Sequence, residues 1–136
     1  MNSFTHQSVL LRFRRSCPGD AVGILTFGDL TGTGTIDQNV FGTISAHASS
    51  TNAYGISIGG NVSGSIEANK FTTSISSAMN QATGINIGGD LTETGKVEQN
   101  EFAEISSPAE VVGSDGAATF GMYVKGSIAG SINDNT

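Results

Sequence analysis

The sequence predicts an all-β solenoid, a right-handed parallel β-helix with three short strands per coil and about three and a half coils. Three observations predict it. One motif recurs four times along the chain. Its apolar residues alternate with period 2, the spacing of a half-buried strand. The composition is also that of strands and turns, with 19 glycines, two prolines, no tryptophan and only 13% charged residues.

The first copy runs Gly23-Ile24-Leu25-Thr26-Phe27-Gly28-Asp29-Leu30 and continues to Ile36, Asn39, Phe41 and Ile44-Ser45. The second runs Gly55-Ile56-Ser57-Ile58-Gly59-Gly60-Asn61-Val62, then Ile66, Asn69, Phe71 and Ile75-Ser76. The third runs Gly84-Ile85-Asn86-Ile87-Gly88-Gly89-Asp90-Leu91, then Val97, Asn100, Phe102 and Ile105-Ser106. The fourth runs Gly121-Met122-Tyr123-Val124-Lys125-Gly126-Ser127-Ile128, then Ile132 and Asn135, and reaches Thr136 just before the aromatic would fall. The repeats span residues 21–52, 53–81, 82–117 and 118–136, after an atypical leader or cap at 1–20. The leading glycines are 32, 29 and 37 residues apart. Length varies mainly after the Ile-Ser pair, as expected where a solenoid carries its loops on one corner.

Within each copy, Ile56-Ser57-Ile58 and its equivalents put both apolar residues on one face. Gly59-Gly60-Asn61 reads as a turn, because Gly and Asn accept positive φ readily. The second strand surrounds Ile66, and the third leads through Phe71 to Ile75. No such strand buries its inner face alone. Stacking the copies at about 4.8 Å piles like on like. Phe41, Phe71 and Phe102 should form an aromatic column, and Ile36, Ile66, Val97 and Ile132 an aliphatic one. Asn39, Asn69, Asn100 and Asn135 should pair amide to amide and satisfy backbone groups at a corner. Helical solenoids are a poor match, since Gly pairs and β-branched runs oppose helix. A propeller blade needs about 40–50 residues, more than most copies supply.

Net charge is −6. All three arginines, Arg12, Arg14 and Arg15, lie in the leader, and the repeats are acidic. Such a body does not attract phosphate backbones, so no nucleic-acid partner is expected. No apolar run approaches the roughly 20 residues of a membrane span. Val9-Leu10-Leu11 is too short for a signal peptide and precedes its arginines. The leader therefore reads as foreign to the repeat: a divergent cap, an expression remnant, or a start placed inside a longer reading frame. The single Cys17 excludes an internal disulfide.

No constellation points to catalysis, a metal or another cofactor. Asp37, Glu67 and Glu98, with Asn133 in the fourth copy, should form a stripe on the outer face, a solvated row rather than a calcium site. Glu93, Glu98, Glu101 and Glu104 likewise read as exposed charge. His6 and His47 pair with no cysteine or fixed carboxylate spacing. Gly88-Gly89-Asp90 lacks the tandem run of a calcium nonapeptide. Gly32-Thr33-Gly34-Thr35 lacks the lysine and helix of a phosphate loop. Thr31, Thr33 and Thr35 find only irregular counterparts in the other copies, too irregular for an ice-binding ladder. The loop Ser107–Phe120, with Pro108, Glu110 and Asp115, is the candidate for partner contact.

The repeated G-I-x-I-G-G-(N/D)-(V/L) with I-x-x-N-x-F, over residues 21–136, resembles the parallel β-helix passenger domains of bacterial autotransporters and related pectin-lyase-like surface proteins. The resemblance implies an extracellular, surface-presented stalk concerned with adhesion. It makes a host or matrix surface ligand and the rest of a longer β-helical chain the expected partners. The chain shows neither an export signal nor a barrel segment. The leading expectation is a non-enzymatic structural or interaction segment, prone to self-association through an open edge. A fragment of a polysaccharide lyase or glycoside hydrolase and a non-functional remnant of a truncated gene are the alternatives.

Overall fold

The structure, a computed structural model, describes residues 3–4, 19–47, 52–78, 80–107 and 118–136. Among these residues it is all-β, built of parallel strands stacked as a β-solenoid. The strands are β1 (Ser3–Phe4), β2 (Ala21–Thr26), β3 (Thr35–Asp37), β4 (Val40–Phe41), β5 (Ile44–Ala46), β6 (Ala53–Ile58) and β7 (Ser65–Glu67). They continue with β8 (Lys70–Ser77), β9 (Ala82–Ile87), β10 (Lys96–Glu98), β11 (Glu101–Ser106), β12 (Thr119–Val124) and β13 (Ser131–Asn133).

Three parallel sheets form the sides of the coil. The first stacks β2, β6, β9 and β12; the second stacks β1, β3, β7, β10 and β13; the third stacks β4 and β5 against β8, and β8 against β11. A single bridge position, Leu30–Val62–Leu91–Ile128, lies between the first two sides. The register is the one the repeat predicts. Ile24 pairs with Ile56 and Ile56 with Ile85, which in turn pairs with Met122. Ile36, Ile66, Val97 and Ile132 stand in one row. A residue and its equivalent in the next copy are therefore cross-strand neighbours.

The core follows from this register. Ile56, Ile58, Val62, Ile66, Ile75, Ile85, Ile87, Leu91 and Val97 are fully enclosed. Burying a side chain of this size stabilises by about 1.5–3 kcal/mol. All of these residues belong to the second and third coils, which have a neighbour on each side. Ile132 and Ile128, in the fourth coil, are 40% and 57% exposed. Ser57, between two core isoleucines, is also buried, because Asn86 of the next coil donates from Nδ2 to its Oγ at 3.1 Å.

In the leader, Ser3 pairs with Thr35 and Phe4 with Ile36, extending the second sheet by one strand. One expectation needs correction: the glycines of Gly59-Gly60 are not there for positive φ. Among the described residues the left-handed ones are Gln38, Ala68, Gln99 and Asp134, at φ of 51–56°. At Gly59 a Cβ would lie 2.7 Å from the Phe27 carbonyl oxygen, and at Gly60 it would collide with the Asp29 carboxylate. Close passage of the preceding coil excludes a side chain there.

Candidate functional site

Three side-chain ladders, one at each corner, run along the solenoid axis. The innermost is the asparagine ladder between the second and third sides. The residue before each asparagine adopts the left-handed conformation, turning the chain through the corner and aiming the amide inward. Nδ2 of Asn39, Asn69 and Asn100 each donates to Oδ1 of the next asparagine at 2.9 Å, ending at Asn135. That same oxygen accepts the backbone N–H of the asparagine below, at 3.2, 3.1 and 3.0 Å. Nδ2 of Asn69 also donates to the Ile36 carbonyl at 2.8 Å, and Nδ2 of Asn100 to that of Ile66 at 2.9 Å. Asn69 and Asn100 are completely buried. Their hydrogen-bonding capacity is spent within the protein, so this array holds the corner.

The other two ladders have the opposite polarity. Where the first side turns into the second, the Asp29 carboxylate accepts the Asn61 N–H at 2.7 Å, Asn61 Oδ1 accepts that of Asp90 at 2.8 Å, and Asp90 accepts that of Ser127 at 2.7 Å. Where the third side returns to the first, Asp20 accepts the Asn52 N–H at 2.8 Å and Asn52 Oδ1 that of Gln81 at 3.2 Å. Here the lower coil's side chain receives the upper coil's N–H; in the asparagine ladder the upper receives the lower. The sequence marked Asn61 as a turn residue but not this position as a ladder. The recurrence of Asp, Asn, Asp and Ser there was the available signal. Asp90, the acidic residue of the Gly88-Gly89-Asp90 cluster, is thus engaged with backbone.

The phenylalanine column stands inside the third sheet. Phe41 and Phe71 stack with ring centroids 4.5 Å apart and planes 9° from parallel; Phe71 and Phe102 stack at 5.0 Å and 13°. Such offset stacks are the favoured geometry for aromatic pairs. Opposite the rings runs the column of leading glycines, Gly23, Gly55 and Gly84. A Cβ at Gly55 would lie 2.5 Å from Cε1 of Phe71 and 2.5 Å from the Gly84 carbonyl oxygen.

The outer surface carries the remaining polar groups. Asp37, Glu67, Glu98 and Asn133 form one register row on the second sheet, the three carboxylates half-buried and Asn133 exposed. Glu98 Oε1 accepts the Ser131 hydroxyl at 2.7 Å and the Asn133 amide at 3.1 Å. These hydrogen bonds, with a contribution from Lys96, hold its carboxyl below the ordinary value of 4.5. Asp37 Oδ1 is enclosed without a hydrogen-bond partner. Glu101 is exposed and pairs with Lys70 at 2.8 Å, and Glu93 and Glu104 are also exposed. His47 is exposed at the end of β5. Among the described residues no three His, Cys, Asp or Glu side chains converge as metal ligands. No described helix is long and apolar enough to cross a membrane.

On the first sheet, Tyr54 and Phe120 share a row with Val22 and Thr83, and Phe120 packs on Tyr123 with ring centroids 5.4 Å apart. Burial, reinforced by the Asp20 charge, raises the Tyr54 hydroxyl above its ordinary value of 10.0. Pro108, Glu110 and Asp115, together with Cys17 and His6, lie outside the described residues. The ends of the connection holding the first three are tied, Ser107 Oγ and Thr119 Oγ1 being 2.6 Å apart.

No protein-family model matches the chain, and no curated protein or solved structure is significantly similar to it.

Proposed function

We propose that the chain is a non-enzymatic structural and interaction segment of a β-helical stalk exposed at a cell surface, adhesin-like in role. The observation that carries this reading is that the aromatic file and the corner ladders pass through successive coils without changing register. A stack so built extends along one axis by adding coils. Its sides then present ordered rows of hydroxyl and carboxylate groups. Its third-to-first corner carries connections of variable length. Contact with a surface ligand is assigned to the longest of these, Ser107–Phe120, whose ends the Ser107–Thr119 contact holds together.

The test is adhesion of beads coated with the chain to cells and matrix glycoproteins. The comparison chain has residues 108–117 replaced by a short Gly-containing turn. Loss of adhesion with an unchanged far-UV circular dichroism spectrum supports the assignment; equal adhesion overturns it. The enzymatic alternative is tested by incubation with acidic glycans, with and without calcium. Product release abolished by one carboxylate substitution would establish the lyase or hydrolase reading instead.

A further inference from the structure

We infer that Asn61 is an acceptor site for an N-linked oligosaccharide. Asn61-Val62-Ser63 is the one Asn-x-Ser/Thr tripeptide within the 136 residues. Such a tripeptide, with a residue other than proline in the middle, is the acceptor signal for N-glycosylation of exported proteins, and it serves where it lies at a surface. The inference rests on the surface-exposed reading given above, because the sugar is added during export. The asparagines of the inner ladder do not qualify. Asn39, Asn69 and Asn100 are buried, and each has a phenylalanine two residues further on.

The corner leaves the Asn61 amide nitrogen without a structural task. The ladder at this position needs only an oxygen that accepts the next coil's N–H. Asp29 and Asp90 supply it with no amide at all, at 2.7 Å each. Asn61 supplies it through Oδ1, at 2.8 Å from the Asp90 nitrogen. Its Nδ2 donates no hydrogen bond among the described residues, and the residue is exposed, as are Asp29 below and Asp90 above. An N-linked sugar replaces one hydrogen of Nδ2 and leaves Oδ1 an acceptor, so the Asp90 N–H keeps its partner. Val62 bridges to Leu30 and Leu91, and the Ser63 hydroxyl lies 3.5 Å from the Leu30 carbonyl. Transfer therefore precedes closure of this corner, while the tripeptide is still extended and accessible. In that step Nδ2 bonds to the anomeric carbon of an oligosaccharide carried on a polyprenyl diphosphate. The bond from that carbon to the diphosphate oxygen breaks, the diphosphate leaves with its electron pair, and one amide proton passes to solvent. Nothing is oxidised or reduced. The glycan then stands where the first side turns into the second. The variable connections lie at the third-to-first corner, so the two features do not share a corner.

The test directs the whole 136-residue chain, behind a secretory signal, through cells that N-glycosylate their exported proteins. Intact mass is then measured before and after peptide N-glycosidase. One glycan is expected, removed by the enzyme and lost in both Asn61→Gln and Ser63→Ala. Asp90→Asn in the Asn61→Gln background should restore one glycan. That substitution places the same tripeptide, completed by Thr92, on the equivalent corner of the next coil. A secreted chain of unmodified mass, glycosidase-sensitive mass that persists in Asn61→Gln, or no restoration by Asp90→Asn would overturn the inference. If the chain is not secreted, the heat-unfolded chain is incubated with a purified oligosaccharyltransferase and lipid-linked oligosaccharide, then cooled. Recovery by the glycosylated chain of the untreated chain's far-UV circular dichroism spectrum supports the site; failure of transfer or of recovery overturns it. Adhesion plays no part in either readout, so its absence would count against the stalk reading alone.

Discussion

Gly55 and Phe71 fill one space between them: the glycine's missing side chain is the room in which the ring sits, with Cε1 2.5 Å from where a Cβ would be. The same pairing joins Gly84 to Phe102, whereas no atom of the described residues lies within 4 Å of where a Gly121 Cβ would be. Gly84→Ala is therefore expected to cost about 3 kcal/mol, the upper end of overpacking. Gly121→Ala should stay within about 0.5 kcal/mol, as for an open surface position. Urea midpoints of the two variants check this; equal losses would mean the ring does not occupy the glycine column.

The Asn69 side chain makes four hydrogen bonds from a fully buried position. Asn69→Asp removes both amide donors and sets a carboxylate against the Ile36 carbonyl and Asn100 Oδ1. A loss of about 3 kcal/mol or more is expected, from the cost of burying unpaired polar groups. Asn135→Asp, at the exposed end of the ladder, should lose less. Thermal unfolding of the two variants makes the comparison.

Ala68 holds φ of 51°, a conformation that costs a residue with a Cβ about 1 kcal/mol. Ala68→Gly should stabilise the chain by up to about 1 kcal/mol, reduced by the greater freedom of glycine in the unfolded chain. A lowered unfolding midpoint would show that the corner carries no such strain.

The Glu98 carboxyl is held below 4.5 by its bonds to Ser131 and Asn133. A depressed acid stabilises the fold above its unfolded value and loses that contribution as pH falls through the folded value. Stability should thus decline below about pH 4.5, and Glu98→Gln, which retains an accepting oxygen, should flatten that limb. Tyr54 is raised above 10.0. Its contribution is complete below that value and is lost as pH rises past it, so Tyr54→Phe should flatten the alkaline limb. Denaturant midpoints across the pH range test both signs.

Among the described residues, β12 and β13 stand last in their sheets, and Ile128 and Ile132 are exposed beside them. Self-association that grows with concentration is expected in light scattering, since such edges pair with other chains. Ile128→Lys should reduce it. Monomeric behaviour of the unaltered chain at high concentration would remove the edge as an association surface.

The sequence by itself determined the repeat, the inward alternation, and the identity of each column. Phe41, Phe71 and Phe102, or Asn39, Asn69, Asn100 and Asn135, recur at one offset, and a stack turns equal offsets into contacts. Only the tertiary structure decided what the glycines and the (N/D) positions are for. Gly55 is only the leading residue of a repeat until Phe71, sixteen residues later on another side of the coil, is seen to fill its place. Asn61 looks like a turn asparagine until its oxygen is found on the Asp90 N–H of the next coil. The positive φ that the Gly-Gly pairs suggested belongs instead to Gln38, Ala68, Gln99 and Asp134. The physical reason is common to all three cases. Propensity describes what a residue tolerates in isolation, whereas these positions are set by the close approach of backbone and rings from other turns of the chain.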